Sequence, residues 1–128
     1  MRRPLVYRAI DRLVADRLLV PDRTEPGEGG PTKTVHRITD LGRAALDRWL
    51  AQPVTHIRDL RLAFLLKVSL LLRSDRPVAQ LVAAQRDALA EALGTLTADE
   101  TGGDVVGTWR RHNAAAVVSF LDELATRT

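Results

Sequence analysis

Few residues of this chain could do chemistry, and they do not converge. His36, His56 and His112 stand on three separate segments, without the HxxxH or HExxH spacing that puts two imidazoles on one helix face to hold zinc. There is no cysteine, which excludes disulfides and thiolate metal sites. Asp99–Glu100 and Asp122–Glu123 are acidic neighbours in sequence. On a helix such neighbours point about 100° apart and cannot converge on one reacting bond. No GxSxG, GxxxxGKS/T or GxGxxG pattern occurs. The glycines from Gly27 to Gly30 follow a strand pattern but lead into another strand, not into the helix that a phosphate cradle needs. The expectation is a protein that is not an enzyme and uses no metal or cofactor.

What is left is the chemistry of binding anions. Arg2, Arg3, Tyr7, Arg8 and Arg12 crowd the start of the chain, and Thr32, Lys33 and Thr34 follow the glycines. Arg8 and Arg12 are one helical turn apart. An α-helix fits the major groove of B-DNA, where one arginine can bond guanine O6 and N7 together. Lys, Thr and backbone N–H groups hold phosphates. The competing role for the same arginines is pairing along the helix, Arg8 with Asp11 and Arg12 with Asp16. Charge placement agrees with an anionic partner: residues 1–52 hold ten basic and seven acidic side chains, residues 53–128 nine of each, so the whole net charge of +3 lies in the first part.

These side chains need elements to hold them. Pro4 suits a helix start, and Leu5, Ala9, Ile10, Leu13 and Val14 then recur at helical spacing, with Arg8, Asp11 and Arg12 opposite. Leu18–Arg23 reads as a short strand in which Pro21 marks an edge or an end. A turn-rich loop follows, with Pro26, Gly27, Gly29, Gly30 and Pro31. "TKTVHRIT" is rich in β-branched residues and alternates as a strand does, so the two strands make a hairpin. His36 and Arg37 point to opposite faces of it. Glu25 and Glu28 are awkward at an anion-facing tip, so only the part from Pro31 onward is expected to approach a nucleic-acid backbone.

Thr39 or Asp40 can cap the next helix, whose inner stripe reads Leu41, Ala44, Ala45, Leu46, Trp49 and Leu50 before Pro53 stops it. A helix over about 58–73 is apolar on nearly all sides and must be covered all round. Another spans about 77–96. In the last, after Asp104 as cap, Val106, Trp109, Asn113, Val117, Phe120 and Leu124 step by threes and fours, close to a heptad seam. These helices carry more apolar surface than they can cover among themselves, which points to a second chain. No apolar run reaches the roughly 20 residues of a membrane span, and no signal peptide is visible. The expected setting is the cytoplasm, with no membrane partner.

"VYRAIDRLVADRLLV" resembles the recognition helix and first wing strand of the PadR family of bacterial winged-helix transcriptional regulators. "HRITDLGRAALDRWL" is similar to the segment that follows the wing there, with Ile38, Thr39, Gly42, Leu46 and Trp49 in matching positions and His36 where a Tyr is frequent. "RDLRLAFLLKVSLLL" and "QRDALAEAL" resemble the family's dimerisation helices. The resemblance implies a mainly α fold with one β-hairpin. Its first part, residues 1–52, would be a winged helix with Arg2, Arg3, Tyr7, Arg8, Arg12, Thr32, Lys33 and Thr34 towards DNA. Residues 53–128 would form the dimerisation domain. Family members carry two further helices before the recognition helix, so a shortened winged helix is expected, with Leu5, Ile10 and Leu13 left uncovered. The resemblance further implies a homodimeric repressor on a palindromic operator. A small aromatic effector would be held at Trp109. The alternative, from the uncovered face, is an interaction module that does not bind DNA and pairs with a full-length relative.

Overall fold

The computed structural model describes residues 4–98 and 103–127. Helix α1 spans Leu5–Ala15. Pro4 precedes it, and its carbonyl accepts from the backbone N–H groups of Tyr7 and Arg8 at 3.0 and 3.3 Å. The helix ends in a Schellman turn: Arg17 N–H bonds the Val14 carbonyl at 3.0 Å and Leu18 N–H bonds the Leu13 carbonyl at 2.9 Å. The left-handed position of that turn usually falls to glycine. Here Arg17 takes it, with φ 63°.

Strands β1 (Leu19–Gly27) and β2 (Gly30–Ile38) form an antiparallel hairpin in the register Leu19↔Ile38, Val20↔Arg37, Glu25↔Lys33 and Gly27↔Gly30. The expected glycine-rich loop is therefore much shorter than its composition implied. The strands run to the tip, and Glu28–Gly29 alone turns the chain, with Gly29 at φ 66°. The prolines are absorbed as irregularities. The register shifts between Pro21 and Arg23, where Asp22 is an extra residue in β1, and again between Glu25 and Gly27, where Pro31 and Thr32 of β2 stand opposite Pro26 alone.

Helix α2 spans Asp40–Ala51. By packing, the chain divides into two units, Met1–Trp49 and Leu50–Thr128. In the second unit, a 3₁₀ turn (Ile57–Asp59) and a wider π turn (Leu60–Phe64) lead into α3 (Leu65–Arg73). The helix expected over 58–73 is thus one helical stretch of three pitches. It buries Leu60, Phe64, Lys67, Val68 and Leu71 and leaves Leu62, Leu65, Leu66 and Leu72 outside. α3 ends in a second Schellman turn with Asp75 left-handed, Asp75 N–H bonding the Leu72 carbonyl and Arg76 N–H the Leu71 carbonyl. α4 (Ala79–Ala98) and α5 (Val105–Arg127) pack along each other. They run antiparallel, since Arg86 early in α4 meets Asp122 late in α5 at 2.7 Å. Asp104 caps α5 through the Gly107 N–H at 2.8 Å.

All buried apolar side chains among the described residues lie in this second unit, with Phe64, Val82, Leu89 and Leu121 at 2% exposure or less. Phe64 meets Phe120 edge to face at 6.4 Å. The seam read along α5 is covered only in part, with its members Val117 and Leu124 half-buried. Ala114 and Leu121 are buried, seven residues apart, whereas Val106, Trp109 and Phe120 remain exposed.

Two polar side chains sit inside this core. Gln85 is fully buried and grips the Val54 peptide on both sides: Val54 N–H donates to Oε1 at 2.8 Å and Nε2 donates to the Val54 carbonyl at 2.9 Å. Lys67 donates from Nζ to the Gln52 carbonyl at 2.6 Å. The backbone that Pro53 forces out of α2 has no helical partners, and these two side chains supply them.

Candidate nucleic-acid interface

The first unit is assembled around Thr39. Its Oγ1 accepts from the Gly42 N–H at 2.9 Å, as an N-cap does, and donates to the Arg17 carbonyl at 2.6 Å. Its own N–H bonds the Leu18 carbonyl at 3.1 Å. Of the two candidates for capping α2, the side chain of Thr39 does it. Gly42 is buried where a side chain would strike the Leu18 carbonyl and the Ile38 side chain. The spacing Thr-x-x-Gly thus has a local cause: one residue ties the α1 turn to the start of α2, and the other leaves room for that turn.

Behind these bonds lies an open, almost wholly apolar cavity of about 460 Å³, lined by Leu13, Leu18, Leu19, Ile38, Ala45 and Trp49. Leu5 is 74% exposed, and Val6, Leu41 and Leu46 are also exposed. The inner stripe read for α2 is narrower in the structure. Gly42, Ala45 and Trp49 are covered at least in part, while Leu41 and Ala44 are not.

On α1, Ile10 and Val14 are half-buried and mark the packed side. At helical spacing, Arg8 and Arg12 lie well away from it and Tyr7 lies beside it. All three are exposed, but Tyr7 does not share the arc of the arginines. Arg12 approaches Asp16 at 4.0 Å, the i,i+4 pair that competes with an outside anion. Arg2 and Arg3 lie outside the described residues.

The register divides the hairpin residues. Thr34 shares a face with Ile38, whose partner Leu19 lines the apolar cavity, and Thr32 lies in the irregular stretch opposite Pro26. Lys33 and Arg37 are on the opposite face, as strand alternation requires. So Thr32, Lys33 and Thr34, though consecutive and all exposed, cannot serve a single row of phosphates together. Lys33 also faces an acid, with Nζ 3.8 Å from Glu25 Oε2. Glu25 bonds Arg23 at 2.8 Å, Arg23 bonds Asp22 at 3.1 Å, and Asp22 reaches Arg37 at 3.8 Å. Sequence reading missed this chain of charges. The signal lay in the bulge at Asp22, which only the register reveals.

Trp109 belongs to the second unit. It is 69% exposed and borders an open cavity of about 500 Å³ with Arg58, Arg61, Leu65, Asn113 and Phe120. Two cations and two aromatic rings can hold a flat anionic molecule there. Lys67 is buried on another side, and burial lowers its ammonium pKa below the ordinary lysine value. Among the described residues no group of His, Asp and Glu is placed to hold a metal ion, and no helix is long and apolar enough to cross a membrane. No protein-family model matches this chain, and no curated protein matches it.

Proposed function

We propose that the chain is a dimeric DNA-binding transcriptional regulator of the PadR-like winged-helix kind, acting as a repressor on a palindromic site. The observation that carries this reading is the first unit. A helix presents Arg8 and Arg12 on its outer arc and is tied through Arg17 and Thr39 to a projecting hairpin that exposes Lys33 and Arg37. In the reading, α1 enters the major groove and the hairpin meets the backbone. The unpartnered apolar side chains of the second unit (Leu62, Leu66, Val106, Trp109) supply the contact between two copies. A small aromatic effector with an acidic group occupies the Trp109 cavity beside Arg58 and Arg61.

The test is a gel shift on the DNA upstream of the chain's own gene, titrated with salt. Binding should weaken steeply as salt rises, and Arg8→Ala with Arg12→Ala should weaken it about tenfold or more. A folded protein with no affinity for any duplex at low salt would end the DNA reading.

The exposed apolar cavity on the first unit favours a second reading. In it the chain is an interaction module that binds no DNA and pairs with a longer relative. Sedimentation of the chain with and without such a relative separates the two, since a heterodimer that releases operator DNA supports only the second.

A further inference from the structure

The charged face of the hairpin carries a second layer of information. Five side chains alternate in sign along one continuous path: Arg37, Asp22, Arg23, Glu25, Lys33. The links are 3.8, 3.1, 2.8 and 3.8 Å, and the side chains are between 36% and 65% exposed. Asp22 joins the path only because the bulge in β1 lets it reach both Arg23 beside it and Arg37 across the ladder. Three cations are thus held around two carboxylates, and the face carries a net charge of only +1.

We propose that Asp22 and Glu25 are built-in counterions that set how strongly the hairpin binds a nucleic-acid backbone, with phosphate displacing carboxylate when DNA arrives. This rests on the DNA-binding reading above. Exposed ion pairs between flexible side chains are weak and easily exchanged. A phosphate approaching Arg23, Lys33 or Arg37 gains a charge-assisted bond of the same kind that the cation already makes. The carboxylates stay anchored to β1 after the exchange and repel the incoming strand. The hairpin therefore contributes less than three free cations would, and α1 carries the larger share of binding.

The test compares the full chain with the double variant Asp22→Asn/Glu25→Gln on a labelled, mixed-sequence duplex by fluorescence anisotropy over a salt series. The double variant should bind roughly five- to tenfold more tightly at low salt. The dependence of log K on log salt should steepen by about one to two. Adding Lys33→Gln and Arg37→Gln should remove the gain. The control Asp87→Asn/Glu91→Gln on α4 makes the same change in net charge and should give little of it.

Equal affinity and equal slope for wild type and double variant would overturn the proposal while leaving DNA binding intact. So would an equal gain in the α4 control, which would mean that net charge alone matters. If the double variant binds no better but self-associates in size-exclusion chromatography, the network only guards the hairpin's open edges, and the proposal also fails. If no variant binds duplex while circular dichroism shows all of them folded, the DNA reading falls and takes this inference with it.

Discussion

Among the described residues, thirteen apolar side chains are buried from Leu50 onward, whereas before it no apolar side chain is buried and Gly42 is the only buried residue. The first unit is defined instead by directional bonds: the hairpin ladder, the Schellman turn at Arg17 and the link through Thr39. The two kinds of force do different work. Apolar burial supplies most of the favourable free energy of a fold. Hydrogen bonds add about 1 kcal/mol each after exchange with water, but they fix geometry closely. The second unit therefore has a store of stability, and the first has a shape with little beneath it. Its open apolar side is the consequence.

The largest expected effect sharpens this contrast. Leu89→Ala, in the core of α4, should lower unfolding free energy by about 2–5 kcal/mol. Leu5→Ala removes the same atoms from α1 and should change it by less than about 0.5 kcal/mol. Urea titrations of the two variants decide the matter. Equal costs would show that Leu5 is covered in solution and that the contrast between the units is false.

Next comes the buried amide. Gln85→Leu keeps the size of the side chain but leaves both polar groups of Val54 without a partner. The expected loss is roughly 2–5 kcal/mol, from two unmet groups. A loss near zero would mean that water reaches Val54. The corresponding bond in the first unit should be worth less. Thr39→Val removes the cap of α2 and the link to Arg17, at about 1–2 kcal/mol, and Thr39→Ser should restore most of it. Amide exchange at Gly42 reads this locally, since its N–H is the one Thr39 accepts.

A smaller effect, of opposite sign, tests the turn itself. Arg17 holds a left-handed conformation that costs an ordinary residue about 1–2 kcal/mol. Arg17→Gly relieves this but frees the unfolded chain, so the net gain should be at most about 1 kcal/mol. A raised melting temperature with unchanged helix content is the expected result. A fall would mean that the arginine side chain contributes more than its backbone costs.

These residues also show what could be read from sequence and what could not. Helical spacing located α1 and α2, and Asp104 and Thr39 were recognisable as caps, because such signals act within a few residues. The hairpin was visible from its β-branched return strand, but its tip was misread. Five glycines and prolines in six positions suggest a loop, and only the pairing of Gly27 with Gly30 shows that the strands continue. On α5, periodicity found an apolar seam but not that the buried positions would be Ala114 and Leu121, since that depends on how the helices pack. The pairing of Lys33, expected to meet phosphate, was hidden for the same kind of reason: its partner Glu25 lies across the ladder, at a distance set by the register. Helical spacing puts Gln85 on the inner stripe of α4, but its grip on Val54 could not be read, because it depends on backbone that Pro53 displaces far away in sequence.

Lys67 offers the finest test of the second unit. It interrupts the apolar run Leu62–Leu72, and the structure buries it with Nζ on the Gln52 carbonyl. Burial lowers its pKa relative to the unfolded chain, so between the lowered value and the ordinary lysine value the unfolded state binds more protons. Stability must then rise with pH across that interval. Below it, the folded protein carries the full cost of a buried ammonium. Lys67→Met removes the titrating group, so the unfolding free energy of wild type minus that of the variant should be flat near neutral pH. It should climb as pH approaches about 10. Urea midpoints over that range measure the difference directly. A flat difference throughout would mean that water reaches the ammonium in the folded chain, and the core around the Pro53 bend would then be as open as the first unit.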